Sequence, residues 1–158
     1  LLPRKFKIAV TGSSKDRAIV QAHDIGLEVF TDKNNEMAIK VWVGGGLGRT
    51  PILGSVIREN LSWKHILTYC EAILRVYNLY GRRDNMYKAR IKILVKALGI
   101  EKFKQLVDKD EAISLLKSAS IINLVGKETI SLAIDLGIGS ESGIQIISDI
   151  PFLIIFNA

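Results

Sequence analysis

The segment KVWVGGGLGRTP, which runs from Lys40 to Pro51, decides the fold because a strand-like run ends there in a glycine-rich turn. Residues 39, 41 and 43 are all apolar, the alternation of a strand with one buried face. Glycines admit backbone angles and close approaches that side chains forbid, and Arg49 adds a guanidinium beside them. The glycines of this turn are Gly44, Gly45, Gly46 and Gly48. The turn predicts either an anion site built from exposed backbone amides and Arg49, or a plain turn that ends a strand.

The common phosphate-binding motifs do not fit this turn. A Walker loop needs Gly at the position of Val43 and Lys at the position of Arg49, and the dinucleotide fingerprint has a different glycine spacing. The turn alone therefore leaves ligand binding and a purely structural role open.

The charge of the chain is unevenly distributed along its 158 residues. Residues 1–109 contain 20 Lys and Arg against 10 Asp and Glu, which gives +10, whereas residues 110–158 contain 2 against 6, which gives −4. This difference predicts two domains, 1–109 and 110–158. A basic first part attracts an anionic ligand, a nucleic acid or an acidic partner protein.

The single cysteine, Cys70, excludes an internal disulfide framework and favours a reducing, cytoplasmic location. It lies inside a predicted helix, where a small core residue is the expected role. No signal peptide and no apolar run of membrane-spanning length is present, so no membrane partner is expected. Because the chain begins at Leu1, directly before a predicted strand, we expect it to be a piece of a longer protein.

Hydrophobic periodicity predicts a mixed α/β (α+β) fold, an antiparallel or mixed sheet packed by helices, with a helical tail. The predicted strands are Lys5–Val10, Leu27–Thr31, Met37–Val43 and Gly143–Ile147, and the predicted helices span residues 14–25, 52–60, 63–80, 86–98, 113–124 and 127–136. A polar turn, DKNNE, joins the second and third strands into an antiparallel hairpin.

Basic residues recur at spacings that place them together. Lys5 and Lys7 fall on one face of the first strand, as either a clamp for a small anion or a solvated face. Lys88, Lys92 and Lys96 recur every four residues, and such like charges repel unless an anion or acidic residues neutralise them. We do not expect a nucleic acid as the ligand, because the aromatic residues lie on apolar helix faces rather than among the basic ones.

Four blocks occur in a fixed order: LPRKFK, then DRA with HDIGL, then GGGLGRTP, then YGRRDN followed by KARIK. In that order they resemble the siroheme-containing sulfite and nitrite reductases, over about residues 1–107. The resemblance implies a sulfite-reductase-like half domain, siroheme coupled to a 4Fe-4S cluster, an electron donor protein, and the six-electron reduction of sulfite to sulfide or of nitrite to ammonia.

The resemblance also implies roles for individual residues. Lys5 and Lys7 match the lysines that hold the substrate anion and favour its protonation. Arg83 and Arg90 match basic positions that pair with the carboxylates of the macrocycle. The segment from Gly44 to Arg49 matches a loop that lines the cofactor. The alternative function is a non-catalytic module that binds anions or nucleic acid.

The chain departs from the family in two ways. The family ligates its cluster with four cysteines in its later half, and an earlier segment adds further arginines, whereas this chain has only Cys70. We therefore expect the chain to be inactive without the cysteine-bearing half. From about Asp110 the continuation differs, and SASIINLVGKE with ISLAIDLG resembles the end of a small uncharacterised archaeal family. A fused or frame-shifted reading frame would explain this tail, and a divergent cap on the first part is the alternative.

Overall fold

The computed structural model describes residues 5–13 and 15–156. These residues form two compact units that divide between Asp108 and Lys109. The first unit contains the strands β1 (Ile8–Thr11), β2 (Ile25–Thr31), β3 (Met37–Val43) and β4 (Ser55–Ser62) and the helices α1 (Ile66–Tyr80) and α2 (Ile91–Leu98). Helix α3 (Ile100–Ser118) contributes residues to both units. The second unit contains β5 (Ile121–Val125), α4 (Lys127–Asp135), β6 (Gln145–Ile147) and β7 (Ile150–Phe156).

The first unit is built on a four-stranded mixed sheet with the order β1-β2-β3-β4. Strand β1 is parallel to β2, and the other two pairs are antiparallel. The hairpin predicted around DKNNE is confirmed, with Leu27 opposite Val41. The predicted mixed α/β class is also confirmed.

Helix α1 covers one face of this sheet because its apolar residues recur at helical spacing. Its buried residues are Tyr69, Ala72, Ile73, Val76 and Tyr77. They belong to one apolar cluster with the inward-facing residues of β2 and β3, among them Ile25 and Val41, both fully buried. The long helix predicted over residues 63–80 is confirmed, with a 3₁₀ turn at Trp63–His65 as its first part.

Two predicted helices of the first unit are wrong. The helix predicted over 52–60 is strand β4, because pairing with β3 satisfies its backbone groups and outweighs local propensity. The helix predicted over 14–25 reduces to a 3₁₀ turn, Val20–Ala22, and residue 14 lies outside the described residues. A third helix of this unit was predicted with the wrong start, because the helix predicted from Met86 begins at Ile91.

The first strand is shorter than predicted and exposes a different set of side chains. It begins at Ile8, so that Lys5 and Lys7 precede it. Ile8 and Val10 are exposed although they are apolar, whereas Thr11 is buried. Strand β1 is an edge strand, and only its β2 side is paired within the sheet.

The second unit is an antiparallel sheet with the order β5-β7-β6, and α4 packs on one of its faces. The helix predicted over 127–136 is confirmed as α4, and the strand predicted over 143–147 is confirmed as β6. The helix predicted over 113–124 ends at Ser118, and strand β5 follows. None of the helices in the described part of the chain has the length and apolarity to cross a bilayer.

Candidate functional site

Asp24 is a buried carboxylate that binds three separate segments of the first unit. Its side chain is 1% exposed, and the guanidinium of Arg90, whose side chain is 15% exposed, contacts both of its oxygens. Arg90 Nη2 lies 2.9 Å from Oδ1 and 3.1 Å from Oδ2, and Nε lies 3.2 Å from Oδ1. The Lys7 backbone N–H donates to Oδ2 at 3.0 Å, and the Gly44 N–H donates to the Asp24 carbonyl oxygen at 3.0 Å.

The glycine turn packs against the segment that carries Asp24. A Cβ on Gly45 would lie 2.1 Å from the Gln21 carbonyl oxygen and 2.6 Å from that of His23, so only glycine fits there. Gly44 has φ +83°, and a Cβ on Gly46 would lie 3.4 Å from Arg90 Nη2. Packing inside the protein therefore requires glycine at position 45, and the positive φ favours glycine at position 44.

The predicted row of exposed amides is contradicted at two positions. The Gly44 N–H donates to Asp24, and the Gly46 N–H donates to the Ile52 carbonyl oxygen at 2.9 Å. Gly44 and Gly46 are both buried, and the Gly46 amide is part of a bridge in which the turn folds back onto Ile52. Gly48 and Arg49, farther along, are exposed.

Lys92 fastens the far end of the same turn. Its ammonium donates to the Thr50 carbonyl oxygen at 2.8 Å and lies 3.5 Å from the Gly46 carbonyl oxygen. Lys88 precedes helix α2, so the three lysines predicted on one helix do not share it. Repulsion among these three lysines is consequently weaker than their sequence spacing suggests. The spacing therefore gives less support to the hypothesis that an external anion neutralises them.

Arg83 contacts the ring of Tyr77, a buried residue of helix α1. Its guanidinium carbon is 4.5 Å from the centre of the Tyr77 ring, and Nη2 donates to Asn78 Oδ1 at 2.6 Å. Burial raises the pKa of Tyr77, and the positive charges of Arg83 and Arg90 lower it. Both arginines are thus close enough to Tyr77 to act on its hydroxyl.

Lys7 is fixed by its main chain while its side chain stays in solvent. Its N–H binds Asp24, and its carbonyl oxygen accepts from the Ile25 N–H at 3.2 Å. Lys5 and Arg49 are also exposed. The structure thus brings the Lys7 main chain, the glycine turn and Arg90 together at Asp24, and it leaves the ammonium groups of Lys5 and Lys7 accessible.

A second polar cluster joins β4, α1 and α3 within the first unit. Arg58 Nη2 and the Tyr69 hydroxyl each lie 3.1 Å from Asp108 Oδ1, and Arg58 stacks over the Tyr69 ring at 5.0 Å. Burial raises the pKa of Tyr69, and the Asp108 charge raises it further. Its members come from three elements far apart in sequence, and we did not predict it.

The described residues do not provide ligands for a metal cluster. No group of three or more His, Cys, Asp or Glu side chains among them is placed to hold a metal ion. Cys70 is half-buried, and burial raises the pKa of its thiol to about 11, so it is a protonated thiol at neutral pH. The predicted core role of this residue fits that environment.

Asp24 is the important residue that the sequence analysis missed. Its neighbour His23 binds the Ala18 carbonyl oxygen through Nε2 at 3.1 Å, which is a structural contact. A signal for Asp24 was present, because HDIG places a carboxylate directly before a strand that is buried from its first residue. A carboxylate in such a position needs a cation or several hydrogen-bond donors.

Comparison with protein families gives two matches. Residues 1–115 match the model described as nitrite and sulphite reductase 4Fe-4S domain. Residues 85–158 match a model described as protein of unknown function (DUF424).

Individual relatives agree with the first match. Sulfite reductase (ferredoxin) 1 of Mycolicibacterium paratuberculosis is 32% identical over 109 residues, which cover 69% of this chain and 19% of the relative. Sulfite reductase (ferredoxin) of Synechococcus elongatus is 37% identical over 114 residues, which cover 68% and 18%. The chain thus spans about a fifth of the length of these curated relatives.

The fold has a counterpart among solved structures. The Mycobacterium tuberculosis NirA protein aligns with a TM-score of 0.62 and 20% identity, over 98% of this chain and 34% of that one. The fold predicted from the resemblance, a sulfite-reductase-like one, is confirmed by this likeness.

Proposed function

Because the chain belongs to the nitrite and sulphite reductase 4Fe-4S domain family, we propose that it forms the siroheme- and anion-binding part of a sulfite or nitrite reductase. The relatives are sulfite reductases by name, which favours sulfite as the substrate. One observation carries the proposal: Asp24 gathers three of the sequence blocks on which the family resemblance rests.

The exposed cations fit a carboxylate-rich macrocycle. Lys5 and Lys7 present ammonium groups to solvent two residues apart, and Arg49 presents a guanidinium at the exposed end of the glycine turn. Arg83, stacked on Tyr77, is a further candidate for a carboxylate of the macrocycle. When bound, siroheme supplies the iron at which sulfite or nitrite is reduced.

Lys5 and Lys7 are the proposed substrate residues. Their ammonium groups attract the oxygens of a small anion and can supply protons as oxygen leaves. Lys7 is the better positioned of the two, because hydrogen bonds on both sides of its backbone fix the origin of its side chain.

We assign Arg90 a positioning role within this site. Its guanidinium binds the buried Asp24, whereas the family resemblance predicted a carboxylate of the macrocycle as its partner. In this arrangement Arg90 holds the glycine turn and the Lys7 strand in place.

A 4Fe-4S cluster does not fit this chain alone, because its single cysteine is a half-buried thiol. We propose that the cysteine ligands and the contact with an electron donor protein come from a separate, cysteine-bearing part of the reductase.

The test uses uroporphyrin III, a tetrapyrrole with many carboxylates, as a probe of macrocycle binding by the full chain. We expect it to bind and to quench tryptophan fluorescence, with an affinity that falls as salt rises. A Lys5→Gln/Lys7→Gln variant should bind at least about tenfold more weakly, the loss expected for two charge-assisted contacts. Lys33→Gln/Lys64→Gln, which removes two exposed charges elsewhere, is the matched control and should bind as the wild type does.

Two results would contradict the proposal. Equal losses in the two double variants would mean that total charge, and not this site, binds the probe. Stronger binding of a single-stranded oligonucleotide than of uroporphyrin III, with a steeper salt dependence, would favour the nucleic-acid module instead. Siroheme absorption that appears when the chain is co-expressed with a cysteine-bearing reductase half would support the proposal directly.

A further inference from the structure

The sheet of the second unit has one covered face and one open face. On the covered face, residues of β5 and β7 such as Leu124 and Leu153 are buried against Ile130 and Ala133 of α4. Residues directly opposite each other in an antiparallel sheet share a face, so the pairing defines the other side. We call the following nine residues the open face: Ile121, Asn123, Val125, Gln145, Ile147, Ile150, Phe152, Ile154 and Phe156.

The open face has the composition of a buried surface. Seven of its nine residues are apolar and none is charged, although 24% of the chain is charged. An antiparallel sheet with one side in water normally alternates apolar and polar residues, whereas β7 reads IPFLIIF. Phe156 is nevertheless 75% exposed and Ile154 is 58% exposed.

The exposed area is close to what one side of a protein interface requires. Six large apolar residues of the open face are between 46% and 75% exposed. At roughly 150 Å² for each fully exposed side chain, the low end of the range for aromatic residues because five of the six are aliphatic, they offer on the order of 500 Å² of apolar surface. A monomer rarely shows a larger patch, and a standard interface uses about 800 Å² per partner, so this face supplies most of one side.

We propose that the open face is the contact surface between two copies of this chain. A two-fold axis brings the same residues of both copies together, and an uncharged face meets its own copy without like-charge repulsion at the contact. Asn123 and Gln145 also suit such pairing, because an amide both donates and accepts and can bind its symmetry mate. A strongly charged partner would find no complementary charge on this face.

Charge outside the open face gives the association a characteristic salt dependence. Residues 110–158 carry a net charge of −4 in each copy, so their mutual repulsion weakens as salt screens it. Dimerisation should therefore strengthen or stay constant as salt rises. Association driven by opposite charges would weaken.

The experiment is sedimentation velocity of the full chain over about two decades of concentration, where mass action separates monomer from dimer. We expect the wild type to dimerise and Ile154→Lys to raise the dimer dissociation constant at least tenfold. The matched control is Ile146→Lys, because Ile146 is 65% exposed on the same small sheet but lies on the other side of it. This control should dimerise as the wild type does.

A gentler variant covers the case in which Ile154→Lys fails to fold, as judged by circular dichroism. Asn123→Asp keeps the side-chain volume and adds a charge to the open face, so it should weaken the dimer at neutral pH. Dimerisation should recover as the pH falls to about 3, roughly one unit below the ordinary pKa of an aspartic acid, where its carboxyl group is largely neutral. A wild type that stays monomeric throughout, or a folded Asn123→Asp variant that dimerises unchanged at neutral pH, would overturn the proposal. Neither result bears on siroheme binding by the first unit.

Discussion

Replacing Asp24 by asparagine tests whether one buried ion pair holds the candidate site together. The substitution preserves shape but leaves Arg90, whose side chain is only 15% exposed, without its counter-charge. Removing one partner of a buried pair typically costs 3–5 kcal/mol, because the other charge stays buried and unpaired. Since Arg90 keeps some contact with water and Asn still accepts one hydrogen bond, we expect about 3 kcal/mol, the lower end of that range.

The assay is urea unfolding followed by tryptophan fluorescence. Both tryptophans, Trp42 and Trp63, belong to the first unit, so the signal reports the unit that contains Asp24. The matched control is Asp84→Asn, which removes the same charge from an ion pair with Arg82 whose two side chains are 50% and 60% exposed. Solvent screens an exposed pair of this kind, so its loss should destabilise the chain far less than the loss of the Asp24 carboxylate.

A double variant measures the interaction between Asp24 and Arg90 apart from their contacts with other residues. Asp24→Asn combined with Arg90→Gln removes both charges, so it should be less destabilised than the sum of the two single variants by about 1 kcal/mol or more. If Asp24→Asn costs no more than Asp84→Asn, or if the two single effects simply add, the pair does not stabilise the site and its organising role is wrong.

Three further predictions concern the first unit. Gly45→Ala should destabilise it by about 2 kcal/mol or more in urea unfolding, because the new Cβ meets two backbone carbonyls, while Gly12→Ala, with open space around it, should change stability by less than about 0.5 kcal/mol. Burial raises the pKa of the Cys70 thiol from 9.0 to about 11. At pH 8 this thiol should therefore react with iodoacetamide roughly a hundredfold more slowly in the folded chain than in urea, because only the thiolate reacts. Equal rates in the two states would contradict its burial. Burial and the charge of Asp108 raise the folded-state pKa of Tyr69 above 10.0. The contribution of Tyr69 to the free energy of unfolding is therefore complete below pH 10 and declines as the pH rises above it. The Tyr69→Phe variant should consequently lose less stability than the wild type as the pH is raised, measured by urea unfolding at several pH values.

Elements with a strong local signal were predicted correctly from the sequence. The hairpin of β2 and β3 and the helix α1 follow from alternation of period two and from helical spacing, which local residues alone determine. Strand β4 was mistaken for a helix because its identity depends on pairing with β3, and a sequence does not display its partner strand. The start of α2 was placed too early because Arg90 is extended, with φ −140°, where it reaches Asp24.

In the candidate site, too, the sequence did not reveal which distant residues contact each other. Spacing brought out Lys5, Lys7 and the glycine turn, and the family resemblance added Arg90, but neither could tell which cations bind a group inside the protein. Arg90 binds a carboxylate sixty-six positions away in the chain, a separation at which no sequence pattern operates.

The pairing of Arg90 changes how the basic character of the first part should be understood. A cation neutralised by a buried carboxylate adds little to the field outside the protein, and the net charge of +10 for residues 1–109 already counts the Arg90–Asp24 pair as zero. Attraction of a polyanion must therefore come mainly from exposed groups, and Lys5, Lys7 and Arg49 are such groups beside the glycine turn and the Asp24 segment. Arg90 instead supplies rigidity, because its bond to Asp24 fixes the backbone from which Lys7 extends. Substitution of Arg90 should accordingly lower mainly the stability of the first unit, whereas substitution of Lys7 should lower mainly the affinity for an anion.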